Sequence, residues 1–161
     1  MRFVFKCLAV KHAGGRVTVE AARRVRVYAG YAQDRSSRDA DPANRVLIGG
    51  YASNIVSFDI SASDSLYDRP DGSYHARYVS VGRQLGRRAY FSVDYSTSLS
   101  VVRFSRSDGI VVETRPHMTR VSATATGNLG RSVSLLGTVE RTRDDGATEL
   151  RLLTGLAYRL R

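Results

Sequence analysis

The chain holds a single cysteine, Cys7, no tryptophan, three prolines and only two lysines, Lys6 and Lys11. A lone cysteine excludes an internal disulfide and the paired-cysteine spacing of a structural zinc site. No apolar run approaches the ~18 residues that a membrane-spanning helix needs. That excludes a helical membrane bundle but leaves room for a barrel, whose alternating strands give no hydropathy peak. No glycine-rich phosphate loop or dinucleotide fingerprint occurs, and Gly49-Gly50 falls within an expected strand. The scarcity of lysine also shapes the reading of charge. The net +10 comes from arginines scattered through turns and alternate positions. Without one basic tract, this balance speaks of non-specific attraction and solubility, and no nucleic-acid partner is expected.

What is present is alternation. From Ala89 to Val101, Ala89, Phe91, Val93, Tyr95, Thr97, Leu99 and Val101 fall on one face, while Ser92, Asp94, Ser96, Ser98 and Ser100 fall on the other. A period of two is the signature of a strand. At roughly 3.3 Å per residue it reaches about 40 Å, and tilted by about 40 to 45° it rises slightly more than the ~25 Å apolar band of an outer-membrane barrel. A second strand repeats the theme, with Val56, Phe58, Ile60 and Ala62 against Ser57, Asp59, Ser61, Ser63 and Ser65. Near the end, Leu150, Leu152, Leu156, Tyr158 and Leu160 oppose Glu149, Arg151, Gly155 and Arg159.

Gly, Asp, Asn and Pro cut the chain after residue 23 into eight expected strands: Arg24 to Asp34, Arg45 to Ser53, Ile55 to Tyr67, Ser73 to Leu85, Ala89 to Phe104, Ile110 to Leu129, Ser132 to Arg143 and Thr148 to Leu160. Polar, often longer connections (Arg35 to Asn44, Asp68 to Gly72, Ser105 to Gly109, Asp144 to Gly146) alternate with tight ones at Ser53-Asn54, Gly86-Arg87-Arg88 and Gly130-Arg131. Such parity belongs to up-and-down barrels with short turns on one rim and larger loops on the other. Pro116 is expected at a bulge or above the paired region, because proline cannot donate to a ladder. Residues 1 to 23 form a separate segment, read either as an extra hairpin turning at Gly14-Gly15 or as a stretch with a short helix at Glu20 to Arg24. Residues 24 to 161 are read as the barrel domain. The fold expected is all-β, an antiparallel up-and-down barrel of eight or ten long strands. Met1 to Val10 makes a poor export signal, so an exported barrel implies that the chain is a fragment or the C-terminal part of a longer precursor.

Alternation alone does not say which face is interior. In a soluble barrel or sandwich the apolar face is the core; in a membrane barrel the assignment inverts. The long strands and a polar face of small, sparsely charged residues favour inversion. Ser57, Asp59, Ser61, Asp94, Ser96, Arg120, Glu140, Arg151 and Arg159 then line a lumen filled by hydrogen bonds. Asp59, Asp94 and Glu140 are matched there by Arg26, Arg120, Arg151 and Arg159. Val56, Phe58, Ile60, Phe91, Val93, Tyr95, Leu99, Leu152 and Leu156 face lipid. Tyr67, Tyr74 and Tyr158 suit an interfacial girdle, whereas Tyr90 falls on the polar face and does not.

The closing segment, Leu153-Thr154-Gly155-Leu156-Ala157-Tyr158-Arg159-Leu160, resembles the C-terminal targeting signal of bacterial outer-membrane β-barrel proteins, a polar residue, Gly two positions on, and aromatic or apolar residues at the last alternate positions. Gly155, Tyr158 and Leu160 match; Leu153 stands where the signal is polar, and Arg161 follows where many members end on Phe. The resemblance implies recognition by the barrel-assembly machinery and residence in a bacterial outer membrane.

Chemistry is sparse. His75 and His117 fall near the loop ends of neighbouring strands with Ser73, Ser105 and Glu113, the residue types of a nucleophilic triad. Serine is so frequent here that such proximity arises by chance, and exposed rim histidines are the simpler reading. Asp34, Asp39 and Asp41 supply oxygen ligands for Ca²⁺ but lack the turn glycine and terminal glutamate of a calcium loop. No cofactor, metal or catalytic residue is expected. Arg69, Arg103, Arg106, Arg115, Arg141 and Arg143 gather at the loop rim, where their forks suit lipopolysaccharide phosphates. The expected function is that of a non-enzymatic, porin-like outer-membrane barrel with a structural, small-solute passage or surface-interaction role. Its alternatives are a soluble β-barrel or sandwich binding a small apolar or sugar ligand, and an outer-membrane lipid-directed hydrolase.

Overall fold

The computed structural model describes residues 10–36, 42–69, 71–105, 111–129 and 132–158. Their alternating pattern resolves into ten strands: β1 (Val10–Ala22), β2 (Val25–Ser36), β3 (Ala43–Ile55), β4 (Phe58–Arg69), β5 (Gly72–Leu85), β6 (Ala89–Ser105), β7 (Val111–Thr114), β8 (His117–Asn128), β9 (Val133–Arg143) and β10 (Thr148–Tyr158). No helix occurs among the described residues. Each strand pairs antiparallel with its sequence neighbour in the order β1-β2-β3-β4-β5-β6-β8-β9-β10, with β7 also on β6. The eight strands expected after residue 23 are all present. The all-β, antiparallel, up-and-down class stands. The sheet is open: among the described residues β1 and β10 do not pair with each other.

β7 and β8 are one ladder interrupted by proline. Val102 faces Thr114 and Leu99 faces His117, so the pairing on β6 keeps one register through Arg115 and Pro116. Ser100 N–H donates to the Pro116 carbonyl at 3.0 Å, while the reciprocal bond has no N–H to form it. Pro116 therefore sits neither at a bulge nor above the paired region, the two places expected for it; its cost is one missing ladder bond.

Two expectations about turns are corrected. Gly14-Gly15 is not a hairpin turn, nor do Glu20 to Arg24 form a helix. Both glycines lie inside β1, opposite Ala32 and Tyr31 of β2, and the turn falls at Arg23-Arg24. A Cβ at Gly14 would sit 2.7 Å from Ala32, so glycine serves close strand approach there and no turn. The tight turn expected at Ser53-Asn54 lies instead at Val56-Ser57, where Ile55 pairs with Phe58 and the two central residues have φ of 50° and 68°. Both signs match a type I′ hairpin turn. Asn54, at φ 53°, forms the bulge that shifts the register, and its N–H donates to Asp59 Oδ1 at 2.8 Å.

Adding β1 as a single strand makes the main path nine strands long. The polar connections still gather at one end and the tight turns at the other.

Candidate functional site

Directly opposed residues of antiparallel neighbours share a face, so the registers assign every strand residue to one of two surfaces. One surface carries Phe58 and Ile60 of β4, Val79 and Val81 of β5, Phe91, Val93, Tyr95 and Leu99 of β6, Val121 of β8, Val139 of β9 and Leu152 and Leu156 of β10. Its middle is a continuous apolar row, Ile60, Val81, Val93, Ala123, Val139 and Leu152. Towards the loops it is bounded by a polar row, Asp64, Arg77, Thr97, Thr119, Arg143 and Thr148. Of the residues expected to face lipid, only Val56 is off this surface, placed in the β3–β4 turn by its positive φ.

The opposite surface is polar. A single row of facing residues crosses all nine strands of the main path: Glu20, Arg26, Tyr51, Ser61, Ser80, Asp94, Ser122, Glu140 and Arg151. Asp59, Ser96 and Arg120 lie on this surface too. Ser57 does not, because it is a turn residue, and Arg159 lies outside the described residues. The sequence-based pairing of these charges is largely corrected. Arg120 approaches Glu140 at 3.6 Å, but Arg26 donates to the Tyr51 hydroxyl and Arg151 grips Glu149, two residues away on its own strand, through two bonds of 2.8 Å. Asp94 accepts from the Tyr78 hydroxyl at 2.7 Å, and Asp59 from the backbone of Asn54. Neutral hydroxyl and amide donors satisfy the two aspartates, as the charge-assisted geometry of a carboxylate permits.

Exposure runs opposite to hydrophobicity. Along β6, Phe91, Val93, Tyr95 and Leu99 are exposed, whereas Ser92, Asp94, Ser96, Ser98 and Ser100 are half-buried. In β4, Ile60, Ala62 and Leu66 are exposed against half-buried Asp59, Ser61, Ser63 and Ser65. Ser122, 8% accessible, is buried on the polar side while its neighbour Val121 is exposed; no hydrophobic residue is buried among those described. Glycines report the same asymmetry. A Cβ at Gly14, Gly30, Gly49 or Gly82, all on the polar side, would collide with or press on neighbours, whereas Gly15, Gly127 and Gly137 on the apolar side look into open space. Gly50, on the apolar side, is the exception, crowded by the Arg26 carbonyl. The sheet thus curls towards its polar face. Tyr90, which the girdle reading left unexplained, has its hydroxyl over Gly82 inside that curve.

The loop-end arginines divide between the surfaces. Arg141 and Arg143 stand on the apolar side of β9 with no carboxylate partner among the described residues. Arg103 and Arg115 both bind Glu113, at 2.9 and 2.6 Å. Arg69 lies on the polar side, stacked 4.5 Å from the Tyr67 ring, so it does not join the others. Arg106 lies outside the described residues.

No triad assembles from His75, His117, Ser73 and Glu113; the Ser105 side chain lies outside those described. His75 binds Asp64 at 2.6 Å rather than Ser73 or Glu113, and His117 meets the Thr97 hydroxyl at 2.9 Å. The two histidines flank Leu99 from either side. Asp39 and Asp41 lie outside the described residues, and no cluster of three metal-ligating side chains exists among those described. In the β9–β10 loop, the Gly146 and Ala147 N–H groups donate to Asp144 Oδ1 at 3.0 and 2.6 Å, which holds this carboxyl below its ordinary range. At the C-terminal segment, Gly155 lies on the polar side opposite Leu136 and Tyr158 on the apolar side opposite Val133; Leu160 lies outside the described residues. No protein-family model and no curated protein matches the chain.

Proposed function

We propose that the chain is an integral β-barrel protein of a bacterial outer membrane, with a non-enzymatic role in structure, small-solute passage or surface interaction. One observation carries the reading: the apolar face is the open one and the polar face the occluded one. A soluble sandwich or barrel hides its hydrophobic face in a core, and exposing so continuous an apolar surface to water is unfavourable by about 25 cal/mol per Å². Lipid removes that cost while the hydrogen-bonded serines, aspartates and arginines fill the concave side. Closure of the sheet is part of the proposal, since open edges leave ladder groups unsatisfied in hydrocarbon.

Outer-membrane lipid is the partner of the apolar face. Arg141 and Arg143, with Arg103 and Arg115 on the same side at the loop rim, supply forks for lipopolysaccharide phosphates. The closing Gly155 to Leu160 segment, with its resemblance to the family's targeting signal, supports handling by the barrel-assembly machinery.

Phase partition of the expressed chain tests the reading. It is expected to enter detergent, to refold into lipid vesicles, and to migrate faster on gels unheated than boiled. A folded, detergent-free monomer of full strand content in water overturns it.

A further inference from the structure

The loop-end half of the polar face holds arginines that form no ion pair among the described residues. Arg16 of β1 stacks 3.8 Å from the Tyr28 ring centre, and Arg45 of β3 stacks 5.1 Å from that of Tyr67. The ion pairs of the described residues engage Asp64, Glu113, Glu140 and Glu149, none of them with either arginine. Between the two lies a groove of about 310 Å³ lined by Gly14, Gly30, Ala32 and Leu47 as well as the two arginines. The register explains it. Gly14, Ala32 and Arg45 form one row across the face, and Arg16, Gly30 and Leu47 the next. Two guanidinium stems therefore rise from strands about 10 Å apart, twice the interstrand spacing, over a floor of Gly14, Gly30, Ala32 and Leu47.

Each part of the groove has a physical cause. The floor stays bare because a Cβ at Gly14 would meet Ala32 and the Tyr31 carbonyl at 2.7 Å, and one at Gly30 would meet the Gly15 carbonyl at 3.3 Å. Ring stacking uses the flat face of a guanidinium and leaves its N–H edge free to donate. The nearest acidic residues of this face are Asp34, two positions from Ala32 along β2, and Glu20, four from Arg16 along β1. A tetrahedral oxyanion carries more acceptor oxygens and more negative charge than a carboxylate, which suits it to two separated guanidinium forks at once.

We propose that this groove binds a small oxyanion of the phosphate class, as inorganic phosphate or as the phosphate group of a small ester, held between Arg16 and Arg45. The site depends on the pairing of β1 to β3 alone, so it stands whatever covers the apolar face; in a closed barrel it lies at the loop end of the lumen.

Calorimetric titration of the folded chain with inorganic phosphate, and separately with glucose 6-phosphate, against chloride of equal ionic strength tests the site. Saturable binding at one site is expected for phosphate. The Arg16→Ala/Arg45→Ala chain is expected to bind about 100-fold more weakly, the Arg16→Lys/Arg45→Lys chain about tenfold more weakly, and Arg87→Ala, in the β5–β6 turn, to bind unchanged. Stronger binding of the sugar ester than of the free ion identifies an ester as the ligand; equal or weaker binding identifies the ion. Circular dichroism establishes that each variant keeps its strands, and if the alanine pair does not fold the lysine pair decides. Phosphate binding no tighter than chloride, or a folded lysine pair that binds like the parent, overturns the proposal. Detergent partition reads the membrane assignment separately, so either can fail alone.

Discussion

Tyr90 of β6 covers the bare backbone of Gly82 on β5: a Cβ built on the glycine would fall on the tyrosine hydroxyl. The glycine is buried and the tyrosine half-buried, on the concave side of the sheet. Gly82→Ala is expected to destabilise the fold by about 1–3 kcal/mol, since the ring must leave its place. Tyr90→Phe removes the clashing atom, so the double variant should recover part of the loss. A double-mutant cycle in urea checks this; coupling below about 0.5 kcal/mol contradicts the contact.

A charge placed on the apolar face reads out its surroundings. Val93 lies in the unbroken apolar row, whereas Leu99 lies beyond the polar row, between His75 and His117. In lipid, Val93→Arg should cost about 2–4 kcal/mol and Leu99→Arg about 0–1 kcal/mol, measured by reversible folding into vesicles. Equal penalties at the two sites would contradict a membrane around this face.

Val56 occupies a left-handed conformation at φ 50° and is 83% exposed. For a β-branched residue that conformation is strained, by roughly 1–2 kcal/mol. Val56→Asn should therefore stabilise the hairpin, by about 1 kcal/mol, because so exposed a side chain has little packing to give up. The midpoint of denaturant unfolding checks it, and an unchanged or lowered midpoint refutes the strain.

Asp144 provides a pH readout in a loop. Its carboxyl is held low by the Gly146 and Ala147 N–H groups. A depressed folded pKa means the turn's contribution is fully present above the unfolded value of about 3.9, and is lost as pH falls through the folded value. Carboxyl NMR should show Asp144 titrating below the ordinary aspartate value of about 3.9, and Asp144→Asn should remove the acid-linked loosening of residues 144–147. Titration at the ordinary value would contradict the bonds.

The strands were legible because they are long and alternate cleanly. Phe91, Val93 and Tyr95 against Ser92, Asp94 and Ser96 admit only one period, and each register then follows from which face must agree with its neighbour. Gly14-Gly15 misled because a glycine pair permits a turn but does not require one, and nothing local reveals that Ala32 will press against Gly14. Val56-Ser57 carries no turn signal at all; the hairpin closes there because Asn54 takes the bulge and sets Ile55 opposite Phe58. Charge partners were the least legible. Arg151 lies across from Glu140 yet binds Glu149, because a long guanidinium side chain spans the two-residue step along its own strand while Arg120 takes Glu140. Nor does the sequence announce the groove between Arg16 and Arg45, which exists only once three strands are in register.

The first and last strands of the main path point the same way, nine being odd. Joined directly, they would meet head beside head, in the slanted and slightly weaker parallel bonding pattern, whereas every other junction of the sheet is antiparallel. A ring sealed in that manner has one soft suture, and breathing would begin there. One added segment of contrary direction would zip to both margins at once and leave the circle uniform.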